Sequence, residues 1–344
     1  MKFKFSILLI FFTFLFVTNG MAQKIDTVYH INGNVLTGDF KKMVYGIVTW
    51  KMDGMGTINL ETTKINTLQS PKQFEIKLKN GLIYFGSFDT SGIARHVYIV
   101  LANGRELVSV KDMVEVYPIK RNFWQRTSGN FSLGVNYSKG SNLATVTSSG
   151  NLSYRKRKLY FVLDWDDYNT YQSDTLTSTK ADVNFGWEHL LKKKWYIGTI
   201  LGLSQNSELG TKLRMNLSVL ALHDFVYNSW NRFYAGGGIG GQRETPYDTT
   251  GIKNDLVGIF AIAWKVYKLT SPKLWIDANL MYIPYMTTSG RHRLNINLYP
   301  QISVVDNNLK IGVKIYYSLD SKPQTLNAAK TDWGISFTLT YSFH

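Results

Sequence analysis

The chain has 344 residues, with 39 Lys and Arg against 24 Asp and Glu, 14% aromatic residues and no cysteine. The missing cysteine excludes disulfides and thiolate metal sites. The formal charge of +15 would suit nucleic acid, anionic lipid or acidic polysaccharide, but the N-terminus argues for export and so against nucleic acid.

Lys2 and Lys4 precede a run from Phe5 to Val17 that is apolar apart from Ser6 and Thr13, and Gly20 and Ala22 offer small residues before Gln23. This pattern predicts a cleaved secretory signal peptide over 1–22, too short and wrongly flanked for a membrane span. No other stretch approaches the roughly 18 apolar residues of a transmembrane helix. No cysteine follows the run to carry a lipid.

From Tyr29 to Ser70 the chain matches Lys77 to Pro118 at a constant offset of 48 residues without gaps. Asn32, Gly33 and Gly38 align with Asn80, Gly81 and Gly86. Trp50 aligns with Tyr98, Gly56 with Gly104, and Ile65 with Met113. Each unit reads as a hairpin turning at Asn-Gly, a long strand, a glycine turn and two short strands. The expectation over 23–120 is a periplasmic β-domain made of two tandem SH3- or Sm-like repeats.

From residue 125 to 344 the text becomes a series of twelve strand-like segments. They lie near 128–138, 144–154, 159–168, 180–190, 195–205, 212–227, 232–242, 252–267, 274–285, 291–304, 309–319 and 331–343. Short connections alternate with mostly longer ones, such as 169–178 and 320–330. Short turns at one end and long loops at the other belong to outer-membrane barrels, with the short ends periplasmic. The fold class is therefore all-β: a twelve-stranded antiparallel transmembrane β-barrel behind a small periplasmic β-domain. Closure removes the unpaired edges that hydrocarbon cannot tolerate.

Alternation assigns faces, because successive strand side chains point to opposite sides. Val183, Phe185 and Trp187 read as lipid-facing, and Asp182, Asn184 and Glu188 as lumenal. Leu294, Ile296, Leu298, Ile302 and Val304 face lipid. Asn295, Asn297, Gln301 and Ser303 face inward, while Pro300 on the lipid face is unusual inside a strand. Segment 144–154 alternates poorly. The last strand alternates best: Trp333, Ile335, Phe337, Leu339, Tyr341 and Phe343 are membrane-facing, separated by small or polar residues. The lumen-lining candidates are Asp164, Asp166, Asp182, Glu188, Arg214, Lys310 and Lys314.

Chemistry is sparse. Asp164 and Asp166, with Asp167 beside them, could bind Ca²⁺ or act as acid and base. The bland reading is a lumen charge cluster near the extracellular rim, paired with Arg214, Lys310 or Lys314. Gly236, Gly238 and Gly241 spell a dinucleotide fingerprint, but no helix follows. Glycines that thin the wall beside Tyr234 explain them better. His189 and His223 fall on lipid-facing positions near the periplasmic interface, where a lipid hydrolase could work, yet neither sits in a motif with serine. No two histidines have ligand spacing, so no metal or cofactor is expected. The basic turns Arg155–Lys158 and Lys192–Lys194 suit anionic head groups or plain solvation.

The signal peptide, the twin Asn-Gly repeats, the barrel after Pro118 and the terminal Trp-Gly-Ile-Ser-Phe-Thr-Leu-Thr-Tyr-Ser-Phe strand together resemble the salt-induced outer-membrane protein family. That is a bacterial family whose domain has no assigned function. The resemblance implies an outer-membrane location in a Gram-negative bacterium. The final strand is also similar to the signal read by barrel-assembly machinery, although Phe343 is penultimate and His344 last. The family resemblance supplies no catalytic residues. The expected function is non-enzymatic: a narrow solute channel, or an envelope binding or structural barrel in contact with outer-membrane lipid. Large inward side chains favour weak conductance or none. The rivals are a lipid hydrolase, and a protein acting on a periplasmic partner through a sheet edge of the repeats.

Overall fold

The computed structural model describes residues 26–343, apart from 53, 120–122, 124–125, 140–141, 157–158, 174, 249–250, 269–272, 305–307 and 326–327. The expected signal peptide lies outside the described residues.

The N-terminal part contains β1 (Asp26–His30), β2 (Val35–Val44), β3 (Ile47–Met52), β4 (Gly56–Glu61), β5 (Ile65–Leu78), β6 (Ile83–Thr90), β7 (His96–Leu101), β8 (Gly104–Ser109) and β9 (Met113–Pro118). The sequence offset reappears in space. β4 and β8 correspond, as do the 3-10 turns Thr62–Lys64 and Val110–Asp112 that follow them, and β9 corresponds to the start of β5. The 14-residue β5 serves both repeats. Its first half pairs with β1, and its second half pairs with β6 and β9. The sheet order is β4-β3-β2-β1-β5-β6-β7-β8, with β9 joining β2 and β5.

One core fills this part. Phe40, Trp50, Phe74, Phe88 and Ile99 are buried together, with the Phe40 and Phe74 rings 5.0 Å apart edge to face. Each such side chain contributes about 2–3 kcal/mol by leaving water. Asp26 is wholly buried and fully partnered, as a buried charge must be. It accepts from Phe40 N at 2.7 Å, Ser70 Oγ at 2.6 Å and Lys72 Nζ at 2.7 Å. Lys72 also reaches Asp39 at 2.6 Å, and its two carboxylates hold its pKa above the usual lysine value against the cost of burial.

The remaining strands are β10 (Thr127–Ser138), β11 (Leu143–Lys156), β12 (Leu159–Gln172), β13 (Thr175–Leu190), β14 (Trp195–Asn206) and β15 (Thr211–Tyr227). They continue with β16 (Asn231–Pro246), β17 (Lys253–Lys268), β18 (Leu274–Pro284), β19 (His292–Ser303), β20 (Leu309–Asp320) and β21 (Thr331–Phe343). They form one closed antiparallel barrel in chain order, with β21 returning to β10. Most expected bounds shift by only a few residues. The exception is the supposed long loop at 169–178, because β12 and β13 stay paired up to Gln172 and Thr175. Thr170, Tyr171, Thr175 and Thr177 are strand formers, and their polarity hid the strand.

The poorly alternating segment is β11, paired with β10 from Leu143 to Tyr154 without a break. Its lipid face is bare at Gly150 because the Trp165 ring covers it; a Cβ at Gly150 would lie 2.2 Å from that ring. Pro300 leaves its mark as well. The β19–β20 ladder skips Tyr299 and Pro300, since proline has no N–H to give.

Outside, large apolar side chains stand exposed around the wall, with Phe131, Phe185, Leu217, Phe260 and Phe337 between 41% and 66% exposed. Such a girdle far exceeds the patches of a few hundred Å² that water-soluble proteins tolerate. Hydrocarbon is its natural solvent.

Candidate functional site

The two ends of the barrel carry different chemistry. At the long-loop end, buried charges bridge opposite walls. Arg291 Nη2 is 2.9 Å from Glu244 and 2.6 Å from Asp320, and Arg214 is 3.0 Å from Glu244 and 3.7 Å from Asp320. These four side chains are at most 3% exposed. Asn206 Nδ2 donates to Asp332 at 2.7 Å, tying β14 to β21 across the barrel. Above them, on the connection from β20 to β21, Thr325 Oγ1 donates to Gly210 O at 2.6 Å and Ala329 N to Glu208 O at 3.0 Å. We call this layer the roof.

At the short-turn end the N-terminal sheet forms a floor. Arg155, at the end of β11, turns inward between Glu75 and Glu115, 3.4 Å from each, and its guanidinium lies 4.3 Å over the Tyr117 ring. Lys77 stands 3.3 Å from Glu115. Tyr45, held at φ +56 in the β2–β3 turn, places its ring 3.8 Å from that of Tyr267. Gly81 sits so close to Lys194 that a Cβ there would lie 2.6 Å from its side chain. Burial opposes the charge on Glu115, yet Lys77 and Arg155 hold its pKa down to about 2. Burial raises Glu75 instead and lowers Lys77, where Arg155 adds like-charge repulsion.

Between sheet and barrel lies a cavity of about 170 Å³. Tyr45 and Tyr117 from the sheet and Tyr160, Tyr196, Tyr227 and Tyr267 from the barrel line it. Most lining charges are already matched. Arg232 is 2.7 Å from Asp224, and Lys265 is 3.6 Å from Asp277. Glu188 also lines the cavity and has no ion-pair partner among the described residues. One free carboxylate amid tyrosines and arginines is an arrangement for a small polar ligand that stacks and hydrogen-bonds.

The wall between these ends is uneven. Gly236 and Gly238 let β16 lie against β15: Cβ atoms there would fall 2.0 Å from Ala221 O and 1.9 Å from Val219 O. Leu220, Leu222, Val257, Ile259 and Ile283 form an apolar stripe over them. No helix follows β16, and Gly241 has open space around it. On the β18 side Asn279 remains exposed and accepts from Asn297 at 2.9 Å, so polar space persists there.

The structure brings the lumen candidates to separate places. Arg214 belongs to the roof and Glu188 to the floor cavity. Lys314 pairs with Asp166, Asn151 donates to Asp164 at 2.7 Å, and Asp182 pairs with Lys180 at 2.8 Å. Lys310 lies 4.2 Å over the Trp275 ring. Two expectations are corrected. Asp166 lies midway along β12, not near the rim, because the strand runs on to Gln172. Of its proposed partners only Lys314 reaches it, Arg214 being committed to Glu244 and Asp320. Arg155 is also neither head-group ligand nor solvated turn, because Glu75 and Glu115 draw it inward. Arg157 and Lys158 of the same basic turn lie outside the described residues.

The terminal-strand residues Trp333, Ile335, Phe337, Leu339 and Tyr341 are 47–66% exposed on the outer face. His189 is exposed there too, and His223 packs 4.8 Å from the Trp195 ring. Sequence reasoning missed Glu75, Lys77 and Glu115. They occupy the places of Thr27, Tyr29 and Thr67 in the first repeat, and that charge asymmetry was the available signal.

No curated protein matches the sequence. Among solved structures, the NanC porin is 11% identical with a TM-score of 0.41, covering 62% of this chain and 99% of that one. The translocator domain of the autotransporter NalP from Neisseria meningitidis is 10% identical with a TM-score of 0.35, covering 63% and 86%. The outer membrane protease OmpT from Escherichia coli is 9% identical with a TM-score of 0.21, covering 63% and 94%. Residues 131–343, nearly the whole barrel, match the family described as "Protein of unknown function, DUF481", and the chain belongs to that family.

Proposed function

We propose that the protein resides in the outer membrane of a Gram-negative bacterium and works there as a closed binding barrel, neither an open pore nor a hydrolase. The finer affiliation with salt-induced outer-membrane proteins rests on the four sequence features named above. The observation that carries the closed reading is the roof: Arg214, Glu244, Arg291 and Asp320 are buried and join opposite walls. Removing one partner of such a network leaves an uncompensated buried charge, so it does not open readily.

The N-terminal sheet then has a reason to be there. It shares a cavity with the barrel, and it supplies Tyr45 and Tyr117 to that cavity. Catalysis has no support at the two candidate histidines, which face outward among aromatic and apolar side chains. A thermal-unfolding screen of small sugars and zwitterionic solutes tests the reading, because a ligand of the folded state raises the transition temperature. Some solutes of this kind should stabilise the wild type and fail to stabilise Glu188→Gln. Absence of any shift, or equal shifts in both proteins, would remove the binding assignment.

A further inference from the structure

The seam that closes the barrel is incomplete. Among the described residues β10 and β21 pair over six positions, from Gly129 with Phe343 to Gly134 with Thr338. Beyond them β10 runs on to Tyr137 in its ladder with β11 and β21 runs back to Thr331 in its ladder with β20, with no β10–β21 ladder over this stretch of the described residues. Asn136 bridges the start of the gap through its side chain, donating to Ile335 O at 2.5 Å. Unpaired strand edges are costly in hydrocarbon, so this opening calls for something to fill it.

Its position is informative. Tyr137 and Trp333, each 65% exposed, flank it next to the long-loop ends of their strands. Aromatic side chains at that level belong to the interfacial girdle, which puts the gap in the outer leaflet at head-group depth. Behind it lies a second cavity, of about 110 Å³, reached by the edge residues Trp333 and Ile335 as well as by inward side chains. Its wall is polar: Thr145, Thr170 and Ser178 present hydroxyls, and Lys180 presents an ammonium 4.6 Å over the Tyr316 ring. Asp182 takes one of the three donors of Lys180, at 2.8 Å. Tyr168 is only 6% exposed, and its buried hydroxyl has no hydrogen-bond partner. Such a group is costly to leave unmatched, and here it lines a cavity with a cation beside it.

We propose that the β10–β21 gap is a lateral binding site for an anionic lipid, whose head group sits by Lys180 and the Tyr168 hydroxyl while its acyl chain stays in the membrane between Tyr137 and Trp333. The inference rests on the membrane reading but is independent of the floor cavity. The gap admits the chain sideways, the roof bars the head group from crossing the lumen, and the hydroxyls and ammonium are donors to phosphate oxygens.

A photo-crosslinking amino acid at Thr145 of the full-length protein tests this. The protein is reconstituted in phosphatidylglycerol or phosphatidylcholine vesicles, with folding checked by heat-dependent gel mobility. Mass spectrometry should find a lipid adduct at Thr145, several-fold more abundant with phosphatidylglycerol. Lys180→Gln should bring the two lipids level, and inorganic phosphate should not compete. The same probe at Asn279, inward on the far wall, should give no adduct. No adduct at Thr145 in folded protein, or equal adducts at Asn279, would overturn the lateral site. Equal labelling by both lipids with no effect of Lys180→Gln would overturn the anionic head group. Loss of the adduct with inorganic phosphate would reassign the site to the free ion. Failure of the full-length protein to insert into either kind of vesicle, read by the heat-dependent gel mobility, would instead count against the membrane reading on which the site rests.

Discussion

Replacing Phe337 by arginine puts the two faces of the barrel wall in direct competition. Phe337 is the middle residue of β21 and is 66% exposed on the outer face. Arginine at the midplane of a lipid-facing wall costs about 2–4 kcal/mol, a loss of about 30- to 700-fold in the folding equilibrium. The control must be an inward site at the same depth. Thr338, next in sequence, is unsuitable because it is 6% exposed with its hydroxyl 2.7 Å from Tyr299 Oη. Arginine there would break a packed cluster. Asn279 is the middle residue of β18, points inward and remains exposed. Asn279→Arg should therefore cost less than about 1 kcal/mol, as a substitution away from packed features does. Urea titrations of refolding into phospholipid vesicles, followed by tryptophan emission and gel mobility, measure both. Equal penalties, or a larger one at Asn279, would refute the assignment of faces.

The floor should be acid-labile. Glu115 has its pKa lowered from 4.5 to about 2, so its stabilisation is present above pH 4.5 and lost as pH falls toward 2. Glu75, raised by burial, loses its charge first and partly offsets this. Protection of the 113–118 amides from hydrogen exchange, taken relative to the intrinsic rate at each pH, should hold from neutral pH to about 4.5 and fall below it; in Glu115→Gln it should be low throughout, the broken pair costing about 3 kcal/mol. Gly238→Val should destabilise by about 2–4 kcal/mol or prevent folding, because the new Cβ forces β15 and β16 apart, whereas Gly241→Val should change stability by under about 1 kcal/mol; similar losses by urea titration would show that close approach is not the cause. A cysteine at Ser173, in the exposed β12–β13 turn, should react with an impermeant maleimide on intact cells and one at Lys193 should not; the reverse pattern would invert the topology.

Much of the barrel was legible because a two-residue period forces apolar and polar residues onto opposite faces. The terminal strand shows it without exception from Trp333 to Tyr341. The period failed where a face is built of small residues, as at Gly150 beneath Trp165, and where a strand leaves the membrane and turns polar, as from Thr170 to Thr177. In the repeat, Gly56 and Gly104 precede the 3-10 turns Thr62–Lys64 and Val110–Asp112 at the same spacing, but the sequence reading marks only glycine turns and short strands there, because a single 3-10 turn has no period of its own.

The site was less legible, for a physical reason. Parity says that Arg214 and Glu188 point inward but not what stands opposite, and barrel closure alone decides that Arg214 meets Asp320 from five strands away. Arg155 looked like a turn residue because its partners, Glu75 and Glu115, lie 80 and 40 positions earlier. Tyr45 carries no signal at all. It reaches Tyr267 through a left-handed turn conformation that tyrosine seldom adopts.

The most direct test of the closed barrel is the current through single molecules of the full-length protein in a planar bilayer at neutral pH. With the roof bonded across Arg214, Glu244, Arg291 and Asp320 and the N-terminal sheet seated on the other end, the wild type should give no stable conductance steps. A steady, voltage-independent open current from the wild type would contradict the account.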